Sequence, residues 1–174
     1  MANRIKILIL WVVDVLILTG LDQYTKYLAV QNLKGREPYV ILEGVFELYY
    51  SENRGAAFGM LQGKQGFFFI IAVAVCLLAG YAMWQIAGTG NVRYFGLGLF
   101  ATLVTAGAVG NMIDRVVQGY VVDFLYFKLI NFPIFNVADI YVTVSAVCLA
   151  LLVGFFYKEE ELQIFSWRRK GAKD

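Results

Sequence analysis

The 174-residue chain contains no histidine. That absence excludes Ser-His-Asp and Cys-His catalysis, HExxH zinc sites and any imidazole proton shuttle. Chemistry at neutral pH must then rest on carboxylates, Lys, Tyr, Cys or a cofactor. Charge is also scarce: 16% of residues are charged and 60% are hydrophobic. Soluble domains average roughly 25% charged and 45–50% apolar, so this chain is too apolar to be solvated on every side. There are two cysteines, Cys76 and Cys148, each inside an apolar run. Two are too few, and wrongly spaced, for a disulfide framework or a metal site, and both are expected to be small core residues. Fifteen Lys+Arg against thirteen Asp+Glu leave a net charge of +2. Without a basic stripe interleaved with aromatics, nothing points to nucleic acid.

What is abundant is long apolar sequence. A bilayer core of about 30 Å needs about 20 mostly apolar residues in helix. Four stretches answer: residues 7–21, where Asp14 is the lone charge, then 67–86, 94–113 and 140–157, all uncharged. The first imitates a signal peptide, with Arg4 and Lys6 before ILILWVV. No small-x-small cleavage site follows, and the run continues into DQYTK, so a retained helix is expected. Asp14 is costly there unless it faces other helices or sits near one end. The fold class expected is an all-α membrane protein of four transmembrane helices, one domain over residues 1–174.

Four spans place both termini on one side. Basic residues are denser there (Arg4, Lys6, Arg93, Lys158, Arg168, Arg169, Lys170, Lys173) than in the long opposite loops (Lys26, Lys34, Arg36, Arg54, Lys64, Arg115, Lys128). By the positive-inside rule the termini, including the basic tail 158–174, are cytoplasmic and the long loops lie outside. In the first loop, residues 39–42 and 45–50 are β-branched and aromatic runs separated by Glu43-Gly44, which predicts two short strands joined by a turn. In the third loop LYFKLINFP predicts a short interfacial helix ended by Pro133. Small residues in the third span (Gly96, Gly98, Ala101, Gly107, Ala108, Gly110) serve close helix packing.

The polar residues gather in four clusters, all at the expected outer surface: DQYTK (22–26), SENRGAAFG (51–59), GNMIDRVVQGYVVDF (110–124) and FNVAD (135–139). Asp123 and Asp139 are each flanked by apolar residues. A carboxylate so placed loses hydration, which disfavours its charged form. Two that converge share a proton and titrate as a unit, one serving as general base on water while the other is the acid. That is aspartic peptidase chemistry, and it needs neither His nor metal. The spacing Asn136 to Asp139 is equally that of a helix N-cap. Asp22 and Lys26 form an i,i+4 pair that stabilises a helix by roughly 0.2–0.5 kcal/mol, so a structural part is favoured for them. Asp114 and Arg115 read as an interfacial ion pair, or Arg115 as a planar fork for a carbonyl or anionic lipid group. Asn53 either binds a peptide backbone or caps a turn. The rival classes are a small transporter, which would bury charge at mid-helix in interrupted spans, and a non-catalytic scaffold, which has no use for two isolated aspartates.

The four clusters, in this order and wording, resemble the lipoprotein signal peptidases (signal peptidase II) of bacterial inner membranes. LDQYTK and NRGAAFG look like the first and second blocks of that family, GNMIDRVVQGYVVDF the third and FNVAD the fourth. Where the family often reads GGALGN this chain reads AGAVGN, so Ala106 and Val109 add a little bulk at a helix contact. The resemblance implies an intramembrane aspartic endopeptidase that cuts prolipoproteins before a diacylglyceryl-modified cysteine. It implies Asp123 and Asp139 as the catalytic dyad. Asn53, Asn111, Arg115 and Asn136 match positions that hold substrate. Asp22, Lys26 and Asp114 match supporting positions. It also implies a small extracytoplasmic β-sheet, a short movable helix near 125–132, substrate and membrane lipids as partners, no cofactor or metal, and a monomer.

Overall fold

The computed structural model describes residues 1–55 and 64–166. Helix α1 (Ala2–Leu33) is continuous, about 48 Å long at ~1.5 Å per residue. The expected span 7–21 lies inside it, but DQYTK does not open a loop. The chain stays helical because Thr19, Asp22, Lys26, Ala29 and Leu33 recur on one face and are all buried, so that stripe seals against the rest of the fold. Asp14, by contrast, is exposed and edges an apolar cavity of about 590 Å³ between α1 and the third helix.

Three further helices follow: α2 (Gln65–Thr89), α3 (Phe95–Gln118) and α4 (Val137–Leu151), the last continuing in a wider turn over Leu152–Phe156. Three segments, Gln65–Thr89, Val92–Gln118 and Val137–Phe156, are long and apolar enough to cross a membrane. Helix α1, bracketed by Arg4, Lys6, Asp22 and Lys26 and interrupted by Asp14, is not among them. Large apolar side chains such as Leu16, Ile70, Leu77 and Leu78 stand exposed on the helices, as lipid-facing surfaces require. Cys148 is exposed on α4 and Cys76 half-buried on α2, so neither is the core residue expected. In a membrane helix an apolar run marks the lipid side as readily as the core.

Small residues set the helix spacing. At Gly107 of α3 a Cβ would stand 2.6 Å from the Ala138 carbonyl oxygen of α4. At Gly110 it would stand 2.5 Å from Asp22 Oδ2 of α1. Ala138 is fully buried at both contacts, and Ala101 of α3 is fully buried against Ala79 and Met83 of α2.

The sheet has three antiparallel strands in the order β1-β2-β3: β1 (Tyr39–Leu42), β2 (Phe46–Asn53) and β3 (Val121–Phe127). The hairpin falls where expected. Gly44 sits at φ 70° and Val45 N–H donates to the Leu42 carbonyl at 3.0 Å. The expected helix near 125–132 is absent. Leu125, Tyr126 and Phe127 finish β3, leaving only the 3-10 turn Lys128–Ile130. VVDFLYF is β-branched and aromatic, and the open edge of β2 satisfies its backbone, pairing Ser51 with Asp123 and Asn53 with Val121. Asn131 in the left-handed region and Pro133 then stop further helix. Underneath, Ala29 and Leu33 of α1 pack with Val122 and Phe124.

At the opposite end, Tyr94 stacks on Tyr157 and Arg93 is held by Glu161 and by the Phe156 carbonyl. A short helix α5 (Glu159–Leu162) begins the expected tail. Trp167 and the basic residues Arg168, Arg169, Lys170 and Lys173 lie outside the described residues, as do residues 56–59 of the second cluster.

If close approach sets the α3–α4 distance, Gly107→Ala lowers the thermal midpoint in detergent. Gly98→Ala, whose Cβ meets only Met83 Sδ at 3.7 Å, leaves it unchanged or raises it, because alanine favours helix.

Candidate active site

Because α1 stays helical through DQYTK, Asp22 and Lys26 lie one turn apart on its inner face. Side-chain exposure is 0% for Asp22 and 4% for Lys26, so this is no surface pair. Every donor of the ammonium is used: Asp22 Oδ2 at 2.9 Å, Asp114 Oδ2 at 3.0 Å and Asn111 Oδ1 at 2.9 Å. The carboxylates reach on. Asp22 Oδ1 accepts the backbone N–H of Ala138 at 2.8 Å, in the first turn of α4. Asp114 Oδ2 accepts the N–H of Val122 in β3 at 3.1 Å. One cation thus gathers α1, α3, β3 and α4.

On that frame sit Asp123 and Asp139. Asp139 is the third residue of α4, inside a capping box. Asn136 Oδ1 accepts the Asp139 N–H at 3.0 Å, and Asp139 Oδ2 accepts the Asn136 N–H at 3.2 Å. Capping therefore does not compete with a chemical role. It orients the carboxyl and leaves Oδ1 to take a hydrogen bond from Asn111 Nδ2 at 2.8 Å. Asp123, on β3, accepts from Asn136 Nδ2 at 2.7 Å and from Asn53 Nδ2 at 2.9 Å. Asn136 Nδ2 also reaches Asn111 Oδ1 at 3.2 Å. Asn111 and Asn136 therefore link the two carboxyl groups through a short hydrogen-bonded chain. Burial pushes the Asp123 carboxyl up to about 7, and the nearby Asp139 charge adds to this. Hydrogen bonds from Asn53 and Asn136 and the Lys26 charge oppose it.

Arg115 does not pair with Asp114. The neighbours diverge around α3, Asp114 inward to Lys26 and Arg115 sideways over the ring of Phe68, 4.5 Å from its centroid. Its guanidinium donates to the carbonyls of Gly55 at 3.2 Å and Asn111 at 3.3 Å. Nε is buried without a partner among the described residues. Asn53, Gly55, Arg115 and Asp139 form the polar end of a cavity of about 670 Å³. Apart from Thr143 the rest of its wall is apolar, with Phe68, Ile130, Phe132, Ile140 and Val144.

All nine residues singled out in the sequence thus fall in one network. It also recruits groups that were not singled out. Gln23 Nε2 donates to Asp114 Oδ1 at 2.9 Å and to the Gly110 carbonyl at 3.1 Å. Its neighbour Asp22 was the only hint. The backbone groups of Gly55, Val122 and Ala138 carry no side-chain signal at all. Among the described residues no group of three metal-ligating side chains that could hold an ion comes together. Between Asp22 and Asp114 that position is filled by Lys26.

Two outcomes follow from these charges. Lys26→Met leaves two buried carboxylates without their cation and destabilises the fold by about 3–5 kcal/mol, measurable by denaturant unfolding in micelles. For Asp123 the folded carboxyl binds its proton more tightly than the unfolded one. Its stabilising contribution is complete below about 3.9, the ordinary Asp value, and is lost as pH rises through about 7. The thermal midpoint of the parent protein therefore falls relative to that of Asp123→Asn between pH 5 and pH 8.

Comparison with known proteins adds the lineage. A model of the family described as signal peptidase (SPase) II matches residues 15–156. A lipoprotein signal peptidase of Caldanaerobacter subterraneus subsp. tengcongensis is 43% identical over 145 residues, 83% of this chain and 95% of that protein. One from Clostridioides difficile is 41% identical over 148 residues, 84% of this chain and 96% of its own length. A solved bacterial membrane enzyme, determined by the in meso method at 2.3 Å resolution, superposes with a TM-score of 0.71 at 28% identity, covering 94% of each chain. With the family matched over most of its length and relatives above 40% identity, this chain belongs to the signal peptidase II family.

Proposed function

We propose that the protein is an intramembrane aspartic endopeptidase that removes signal peptides from diacylglyceryl-modified prolipoproteins, cutting before the lipid-bearing cysteine. The observation that carries this reading is the hydrogen-bonded link from Asp123 through Asn136 and Asn111 to Asp139, which itself lines a largely apolar cavity. Family membership supports the same substrate class.

The chemistry follows from one proton shared by the two carboxyls. The ionised member takes a proton from water as its oxygen bonds to the scissile carbonyl carbon. The protonated member gives its proton to the departing amine nitrogen as the C–N bond breaks. The two aspartates finish with their protonation exchanged, and a proton transfer between them restores the start. Arg115 and Asn53, facing the same cavity, hold the substrate backbone, and Asn111 and Asn136 keep the carboxyls aimed. The apolar wall receives the lipid and signal-helix end, so substrate burial supplies much of the binding.

In this reading α1 is the fourth membrane span. It is long enough to cross a ~30 Å core while its C-terminal part stands at the site. Both termini lie in the cytoplasm, the sheet and the dyad lie at the extracytoplasmic face of the bacterial inner membrane, and the whole chain is one monomeric domain without cofactor.

Asp123→Asn and Asp139→Asn each lower kcat by about 10²–10⁴-fold in a processing assay with purified protein and lipid-modified precursor, while folding and insertion persist. Normal processing by either variant defeats the dyad. The parent enzyme loses kcat/KM on the alkaline side through an apparent pKa near about 7, as the shared proton leaves.

A further inference from the structure

Outside the site, one carboxylate is buried at the centre of the sheet. Glu47 of β2 is 4% exposed and stands cross-strand from Tyr126 of β3. Its partner is Lys128 Nζ at 2.6 Å, at the start of the turn Lys128–Ile130. Residues paired in register present side chains to one face of a sheet. From that face Tyr126 Oη makes a second tie, donating to Asn131 Oδ1 at 2.8 Å. The turn therefore folds back over the sheet, held at each end by a polar side chain. Its backbone adds three bonds: Leu129 N–H to the Val45 carbonyl at 3.4 Å, Asn131 N–H to the Lys128 carbonyl at 3.0 Å and Phe132 N–H to the Phe127 carbonyl at 3.1 Å.

What the turn carries is the outer wall of the cavity. Ile130, Phe132 and Pro133 line it together with Arg115 and Asp139. Leu129 and Ile130 are each 69% exposed, so apolar burial does little to place them. The Lys128 side chain is half-exposed while the Glu47 carboxylate is buried, so removing the cation leaves that carboxylate without its partner. Beyond the turn the chain is anchored again, by the edge-on contact of Phe132 with Phe135 and the backbone pairing of Phe135 with Leu125, and the ion pair is the anchor at the root of the turn.

We propose that the Glu47–Lys128 ion pair fixes the outer wall of the cavity and so sets affinity for the lipid-bearing end of the substrate. Glu47 and Lys128 are positioning residues that touch neither the scissile bond nor the dyad. The proposal rests on the peptidase reading above.

The full chain in detergent micelles tests it with Lys128→Met, which keeps the stem and removes the charge, and Lys128→Arg, which keeps the charge. The double variant Glu47→Gln/Lys128→Met leaves no buried charge and separates loss of the tie from damage by an unpaired carboxylate. Lys128→Met and the double variant are expected to raise KM for the lipid-modified precursor about tenfold with kcat within about twofold, and Lys128→Arg to stay within about twofold of the parent in both. In hydrogen exchange, the amides of 129–132 lose protection in Lys128→Met and the double variant but not in Lys128→Arg. Faster exchange without a KM change, a KM change without faster exchange, a fall in kcat alone, or equal impairment by Lys128→Arg overturns the proposal. Failure of the parent protein to cut the precursor counts against the peptidase reading, and the exchange rates then decide whether the pair holds the wall.

Discussion

The structure depends on one ammonium group. Lys26 sits between Asp22 and Asp114 with its third donor on Asn111, and each of those partners anchors another element. Asp22 holds the first turn of α4, Asp114 the start of β3, and Asn111 the carboxyl of Asp139. Such an arrangement is costly to desolvate, and replacing it by apolar residues would not weaken the fold for that reason alone. Its value is positional. No apolar contact would fix β3 and the N-terminus of α4 relative to each other to within hydrogen-bond tolerance.

That tolerance matters because carboxyl groups act on a bond only when they are closely positioned. In the proposed chemistry two carboxyls share a proton, which requires them to lie near one another. Asp123 receives its position from the pairing of β3 with β2, and Asp139 from its own capping box. Asn136 serves both at once, capping α4 with its oxygen and reaching Asp123 with its nitrogen. A residue that looks locally like a cap thereby also holds the Asp123 carboxyl.

The blocks that carry the site were legible in the sequence because polar residues are conspicuous in a chain this apolar. Asn53, Asn111, Arg115, Asn136 and the two aspartates all come together. Less legible was which partner each would take. Asp114 and Arg115 are adjacent in sequence yet face different neighbours, because successive residues on a helix diverge by about 100°. DQYTK belongs to α1 and not to a loop, since Asp22 and Lys26 pair with each other and Lys26 pairs also with Asp114, some 90 positions away. The stretch 125–132 became strand and turn because β2 offered it an edge.

By itself the sequence determined the apolar spans, the hairpin around Gly44, the small-residue face of α3 and the exclusion of imidazole chemistry. These are local properties: hydropathy over a window, turn preference at a glycine, the absence of a residue type. Only the tertiary structure decided that Lys26 is a buried hub, that Asn111 and Asn136 link the two aspartates, and that Glu47 and Lys128 tie down the cavity wall. Each of these joins residues distant in sequence, and a charge's partner depends on which elements pack against it. A one-dimensional pattern carries no record of that.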